Sequence, residues 1–172
     1  LAESFRIHGV DQNDTFTTGP HHNYSVRVMK CIHRVPCVGY AFSERKHILR
    51  QEFQELKQNM FEKGLNKGFA AFIAQKKREG MEVTEEQEQP LFVFMGDTHA
   101  SVFEQTPWLF DYPVIITECT YLRDTEAELA ERYHHTLWSQ LRPWVLANPQ
   151  TTFVLTHFSL RYTDQEVIDF FQ

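Results

Sequence analysis

The sequence predicts an α/β fold, because short apolar segments typical of buried strands alternate with longer segments of helical periodicity. The predicted core strands are Leu91–Met95, Tyr112–Thr117 and Thr152–Thr156. A short helix within Ala100–Trp108 separates the first two strands, and a helix over Thr125–Leu141 separates the last two. The resulting order of strand, helix, strand, helix and strand is the pattern of an α/β domain.

Length and composition predict a folded domain over residues 1–172. The chain has 15 Phe, 6 Tyr and 3 Trp, which argues against disorder. Its net charge of −6 excludes a chain-wide basic field that attracts nucleic acid. The three cysteines lack a CxxC spacing, which is typical of free thiols in a reducing compartment. The free thiols lead us to expect an intracellular protein, and no membrane segment is expected because no apolar run reaches the ~18 residues of a membrane span.

The N-terminal part of the chain is predicted to contain two strands after a polar segment. Residues 1–23 are interpreted as a loop or an insertion. The alternation of apolar and polar residues in Tyr24–Cys31 predicts a half-buried strand, and a second strand is predicted over Val38–Ser43. No signal peptide is recognised. The chain does not begin with Met, which we interpret as a sign of a fragment.

Residues 47–89 predict a helical region followed by an acidic connector. His47–Gly80 contains no Pro, and two helices with a break near Gly64–Gly68 are expected. Arg78–Gln89 is polar and acidic, and we expect it to be the most mobile internal segment.

Two capping patterns are relevant in the C-terminal part. Thr125 followed by Glu128 has capping-box spacing, so Thr125 is predicted to cap the helix that ends between Pro143 and Pro149. Thr163–Phe171 predicts a short amphipathic helix that closes the chain.

Acidic and imidazole side chains follow the predicted strands. Asp97, Glu118 and His157 follow the three core strands, and His33 follows the strand predicted over Tyr24–Cys31. A histidine of the pair His134–His135 completes the set. Each residue alone is compatible with a structural role, but three successive strands that end in such groups predict a metal site at the edge of a sheet.

Five short motifs together resemble the second half of ribonuclease Z and its close relatives, which belong to the metallo-β-lactamase superfamily. They are HRVPCVGY (33–40), GDT (96–98), ECTY (118–121), HHT (134–136) and THFSLRY (156–162). The resemblance covers roughly Tyr24–Phe171. It implies the C-terminal half of a metallo-β-lactamase αβ/βα sandwich.

The resemblance also implies roles for single residues. His33 binds a first metal ion, Asp97 bridges two ions and His157 binds the second. The implied ions are zinc, two for each complete site, with manganese or another divalent ion as the alternative.

Further roles concern the leaving group and the phosphate. Glu118 pairs with a loop histidine that assists the leaving group; spacing back from His157 gives His135, and His134 is the alternative. Arg161 holds a phosphate or a neighbouring loop, or else forms a salt bridge that supports the site.

Several family features are missing from these 172 residues. The His-x-His-x-Asp-His block, the glycine-rich strand and the Pro-x-Lys-x-Arg-Asn loop are not found. The chain is therefore interpreted as the C-terminal part of a larger enzyme or as a divergent protein without activity.

The implied function is metal-dependent cleavage of the 3′ trailer of pre-tRNA by the full-length protein, with a homodimer expected. The alternatives are a related hydrolase of a small ester or phosphodiester, a catalytically inactive half-domain, and a plain α/β domain with incidental histidines. For these residues alone we predict weak metal binding and no phosphodiesterase activity, because three ligands shared by two ions fall below the usual three to four each.

Overall fold

The structure is a computed structural model that describes residues 7–172. Within these residues, six strands form one sheet in the order of the sequence. The strands are β1 (Thr15–Thr18), β2 (Tyr24–Lys30), β3 (Val38–Leu49), β4 (Thr84–Phe94), β5 (Val114–Glu118) and β6 (Thr152–Thr156). The α-helices are α1 (Gln51–Glu62), α2 (Phe69–Arg78), α3 (Val102–Gln105), α4 (Ala127–Tyr133), α5 (Trp138–Ala147) and α6 (Asp164–Phe170). This mixture of one sheet and helices confirms the predicted α/β fold.

The strands pair in two ways. β2 is antiparallel to both β1 and β3, whereas β5 is parallel to both β4 and β6. The chain divides into two compact units, of which the larger comprises the described residues up to Glu44 together with Pro90–Gln172, and the smaller comprises Arg45–Gln89.

The core of the larger unit lies on one face of the parallel strands. Val93 is in register with Ile115, and Ile115 with Phe153. Val93 and Ile115 are fully buried, and the Phe103 ring packs at 6.0 Å from the Phe153 ring. Successive residues of a strand point to opposite faces, so the neighbouring Phe94 lies on the other face, where it is 48% exposed.

The smaller unit contains the two predicted helices. α1 ends at Glu62, Gly64 just beyond it has a left-handed φ of 71°, and a short 3₁₀ turn over Asn66–Gly68 leads into α2. The prediction of two helices with a break at Gly64–Gly68 is therefore confirmed. Phe53 is the buried residue of α1.

Two segments expected to lack regular structure form strands. The prediction of a loop over residues 1–23 is wrong at Thr15–Thr18. These residues form β1, which pairs with β2 although all of its residues are exposed. Residues 1–6 lie outside the described part of the chain. The prediction of an acidic connector is wrong from Thr84 onward, because β4 begins at this residue. There Glu86 forms a two-pronged ion pair with Arg45, so cross-strand charge pairing supports a strand that has no apolar alternation.

The single helix predicted over Thr125–Leu141 is also wrong. A 3₁₀ turn over Asp124–Glu126 precedes α4, so Thr125 lies inside this turn and does not cap a helix. His134 ends α4 with a left-handed φ of 56°. Pro143 lies inside α5 and has no backbone N–H to donate. The hydrogen bond that the helix lacks for this reason would have gone to the carbonyl oxygen of Ser139, in the first turn of α5.

The C-terminal predictions hold. β6 has the predicted bounds, and α6 begins after Thr163, whose Oγ1 accepts the Glu166 backbone N–H at 3.2 Å. No helix among residues 7–172 combines the length and the apolar character needed to cross a membrane.

Candidate metal centre

The parallel strands deliver three of the predicted site residues to one edge of the sheet. Asp97 follows β4, Glu118 is the last residue of β5 and His157 directly follows β6. The carboxyl ends of neighbouring parallel strands lie at the same edge. His157 Nε2 accordingly lies 3.5 Å from Asp97 Oδ1.

Two further histidines reach this edge from loops. His33 belongs to the turn between β2 and β3, and His135 to the connection between α4 and α5. The ring centroids of His33 and His135 are 4.7 Å apart, and those of His135 and His157 are 5.5 Å apart. One ligand atom from each of His33, Asp97 and His135 lies within 4.8 Å of the other two. The structure thus brings together the residues that the sequence distributes over 125 positions.

The His33 ring is held by a backbone carbonyl. Its Nδ1 lies 3.1 Å from the carbonyl oxygen of His134. Because a carbonyl only accepts, Nδ1 carries the hydrogen and donates. In the neutral ring, Nε2 then has the free lone pair that a metal ligand needs.

The His157 ring is held by a threonine hydroxyl. Thr120 Oγ1 donates its single hydrogen to Glu118 Oε2 and lies 2.9 Å from His157 Nδ1. With its hydrogen engaged by the carboxylate, the hydroxyl accepts from Nδ1–H. Nε2 of His157, the atom nearest to Asp97, is therefore left as the lone-pair nitrogen.

Glu118 organises this shell as a buried acceptor. Its side chain is 2% exposed and receives hydrogen bonds from four groups. The donors are the backbone N–H groups of Thr98 and Thr136, the Thr120 hydroxyl and His135 Nδ1. Glu118, His135 and His157 also have ligand atoms within 4.8 Å of one another. Since both Glu118 oxygens already accept from these donors, we assign Glu118 to orienting His135 and not to metal ligation.

Thr98 connects the loops around the site. Its Oγ1 accepts the Ile32 backbone N–H at 2.9 Å, which ties the His33 turn to the segment that carries Asp97. Its carbonyl oxygen accepts from Thr136 Oγ1 at 2.7 Å, which ties in the loop of His135. Thr98 is fully buried, so these bonds form away from water, where an unpaired group is costly.

Of the two loop histidines, His135 is the one that pairs with Glu118, at 2.9 Å from Nδ1 to Oε1. The His134 side chain is exposed, and only its carbonyl oxygen enters the site, as the acceptor for His33. His134 has a left-handed φ of 56°, which turns the chain sharply so that the next side chain faces inward.

Arg161 is placed at the surface. Its side chain is exposed, and its backbone N–H lies 3.4 Å from Ser159 Oγ. Among residues 7–172, no ion pair to Arg161 forms, so the salt bridge considered from the sequence is not made.

Sequence reasoning missed the threonines and one histidine. Thr98, Thr120 and Thr136 carry the second layer of hydrogen bonds, and each lies within two residues of a predicted site residue, which is the signal that was available. His99 also escaped prediction: its Nε2 lies 3.1 Å from Glu131 Oε1 and its Nδ1 2.9 Å from Ser101 Oγ. Both ring nitrogens of His99 are thus used inside the protein.

The donor set fits a divalent cation such as zinc. It consists of one carboxylate and imidazoles whose Nδ1 atoms are already engaged, so that Nε2 is available. A tetrahedral zinc ion with bonds of about 2.0–2.2 Å separates its ligand atoms by roughly 3.3–3.6 Å. The 3.5 Å between His157 Nε2 and Asp97 Oδ1 is close to that separation.

Sequence comparison finds relatives of this chain among known proteins. No protein-family model matches the chain. The chain is 30% identical over 149 residues to tRNase Z TRZ2, chloroplastic, of Arabidopsis thaliana, a match that covers 83% of this chain and 38% of that protein. It is 28% identical over 147 residues to tRNase Z TRZ1 of Arabidopsis thaliana, covering 84% of this chain and 48% of that protein.

A solved structure supports the fold. The crystal structure of the metallo-β-lactamase fold protein YhfI from Bacillus subtilis matches with a TM-score of 0.52 and 12% identity, over 94% of this chain and 45% of that one. The chain spans less than half the length of each of these proteins. The chain is thus similar in sequence to part of two tRNase Z proteins, and it shares its fold with part of a metallo-β-lactamase fold protein.

Proposed function

We propose that this chain supplies one side of a metal-dependent phosphodiesterase site, which cleaves the 3′ trailer of pre-tRNA in the full-length protein. The observation that carries the proposal is the convergence of His33, Asp97, His135 and His157 at one sheet edge. The similarity to two proteins named tRNase Z gives the substrate class.

His33, Asp97 and His157 are the proposed metal ligands. Asp97 has two carboxylate oxygens and has ligand atoms of both His33 and His157 within 4.8 Å, so it would hold divalent ions together with these histidines. Such ions, when bound, supply an ionised water at neutral pH and neutralise charge on the phosphate oxygens.

His135 is the proposed proton donor to the departing 3′ oxygen. The Glu118 carboxylate accepts from its Nδ1–H and orients the ring. Nε2–H of that ring then donates to the leaving oxygen. Only 16% of the His135 side chain is exposed, so the ring is held in one orientation for this transfer.

His135 has a second role to be tested, because its ligand atom also lies within 4.8 Å of those of His33 and Asp97. The two roles differ in a measurable way. In the proton-donor role of His135, the His135→Ala variant has lower cleavage and an unchanged zinc content in the full-length protein. In the ligand role, the variant has both lower cleavage and a lower zinc content.

Arg161 is proposed to contact a phosphate of the substrate, since its exposed guanidinium has no carboxylate partner among residues 7–172. A pre-tRNA substrate places the protein inside the cell. A homodimer remains a prediction, which sedimentation of the full-length protein tests.

The experiment compares 3′-extended pre-tRNA with a chromogenic phosphodiester as substrates of the full-length protein. We expect cleavage at the trailer, lost in Asp97→Ala and kept in the matched surface variant Asp111→Ala. Turnover of the chromogenic phosphodiester without cleavage of pre-tRNA would instead favour a related hydrolase. If the folded, zinc-loaded protein cleaves neither substrate, a half-domain without catalytic function is favoured.

A further inference from the structure

Two of the three cysteines lie directly opposite each other at the base of the turn that carries His33. The register of β2 and β3 ends with Lys30 opposite Val38, and one step beyond these strand ends brings Cys31 opposite Cys37. The Cys31 backbone N–H donates to the Cys37 carbonyl oxygen at 3.0 Å, which continues the ladder through this pair. Side chains directly opposite in antiparallel strands leave the sheet on the same face, with Cβ atoms about 4.5–5.5 Å apart.

This placement is close to that of a disulfide. The Cα atoms of a directly opposite, hydrogen-bonded pair are about 5.5 Å apart, inside the range of about 4.4–6.8 Å found across disulfides. Both thiols are free in the structure. A bond between them can therefore form by rotation of the two side chains, with the backbone separation already in the range of disulfides.

The pair also contacts the segment that carries Asp97. A Cβ atom placed on Gly96 would lie 2.5 Å from Cys37 Sγ, so the sulfur occupies the space that the glycine leaves open. Cys31 is 2% exposed, whereas Cys37 is half-buried. Both cysteines and His33 line a cavity of about 660 Å³.

We propose that Cys31 and Cys37 form a reversible oxidation site, at which a hydroperoxide closes a disulfide across the His33 turn. The more accessible Cys37 sulfur attacks one peroxide oxygen, giving a sulfenic acid and, from hydrogen peroxide, one water. The Cys31 sulfur then displaces the hydroxyl from the Cys37 sulfur, which forms the S–S bond and releases a second water. Two thiols are oxidised, one peroxide is reduced, and a dithiol reverses the reaction by exchange.

The proposal is independent of the hydrolase function, because it concerns the thiols alone. Its significance for the site is positional. The seven-residue segment from Cys31 to Cys37 carries His33, and Gly96 precedes Asp97, so the bond forms next to two proposed ligands.

The test is peptide mapping of the chain after exposure to hydrogen peroxide and alkylation of the remaining thiols. Trypsin cuts after Lys30, Arg34 and Arg45, which separates Cys31 in peptide 31–34 from Cys37 in peptide 35–45. We expect one species that joins the two peptides with the loss of two hydrogen atoms and that separates on treatment with dithiothreitol. Free thiols should fall from three to one for each chain, with the protein still a monomer on a non-reducing gel.

Matched variants show which thiols are used. Cys37→Ser should abolish the joined species, and Cys119→Ser should leave it intact. The proposal is overturned if the wild-type chain shows Cys37 as sulfinic acid with Cys31 still alkylated, or if the joined peptides contain Cys119. The wild-type map decides the question even if a variant fails to fold.

Discussion

Glu118 Oε1 lies 2.9 Å from His135 Nδ1, and the two residues are the last residue of β5 and a loop residue 17 positions later. The carboxylate is 2% exposed and also accepts from Thr98, Thr120 and Thr136. A buried carboxylate with this many donors both orients the imidazole and joins the segments that surround the site.

Glu118→Gln should destabilise the protein. The amide presents an NH₂ group to donors that need an acceptor, so the free energy of unfolding should fall by about 1–3 kcal/mol. Urea denaturation followed by circular dichroism measures this change. The exposed Glu104→Gln serves as the control and should change stability by less than about 0.5 kcal/mol. Equal midpoints for both variants would show that the Glu118 network contributes no net stability.

Zinc should bind weakly to these 172 residues. The chain offers His33, Asp97 and His157 as proposed ligands, with His135 nearby, which is fewer than two zinc ions require. Metal analysis after dialysis should find less than stoichiometric zinc. In a titration with a zinc indicator, Asp97→Asn should weaken the remaining affinity by at least about tenfold, with Asp111→Asn unchanged. A tightly held zinc pair in the dialysed chain would contradict this prediction.

His134→Gly should stabilise the protein. His134 has a φ of 56°, which costs a residue with a Cβ atom about 1 kcal/mol relative to glycine. Its contribution to the site is a carbonyl oxygen, which glycine retains. We expect the free energy of unfolding to rise by about 0.5–1 kcal/mol. His134→Ala is the matched control, since alanine keeps the strain; an equal gain in both variants would locate the effect in the side chain.

The buried thiols should make stability fall at alkaline pH. Burial raises the pKa of Cys31 and of Cys119 from an ordinary 9.0 to about 12, with the nearby Cys37 and Glu118 as further causes for Cys31 and Glu118 for Cys119. The folded state keeps these protons while the unfolded chain loses them above pH 9. The stabilisation is thus fully present below pH 9 and is lost as the pH rises toward 12.

The slope of this loss is about 1.4 kcal/mol per pH unit for each thiol. Urea denaturation at a series of pH values above 9 measures it. Cys119→Ala removes one titrating thiol, so its stability should decline less steeply than that of the wild-type chain. Parallel pH profiles for the two proteins would contradict the assignment.

The core strands could be predicted from local sequence because each is a short apolar run bounded by turn residues. β6 has the predicted bounds, and the break between α1 and α2 follows from Gly64 and Gly68. β1 and the first part of β4 could not be predicted, because most of their residues are polar and exposed and only pairing with a neighbouring strand makes them strands.

The sequence by itself determined the α/β fold, the resemblance to ribonuclease Z and the chemical types of the residues at the strand ends, since these depend on local apolar runs and short motifs. Only the tertiary structure decided which histidine pairs with Glu118, because a left-handed residue at 134 turns His135 inward. It also decided which nitrogen of each ring is free. Those choices depend on hydrogen bonds between residues far apart in the sequence, such as His157 Nδ1 to Thr120 Oγ1 and His33 Nδ1 to the carbonyl oxygen of His134. Local sequence patterns do not predict such contacts.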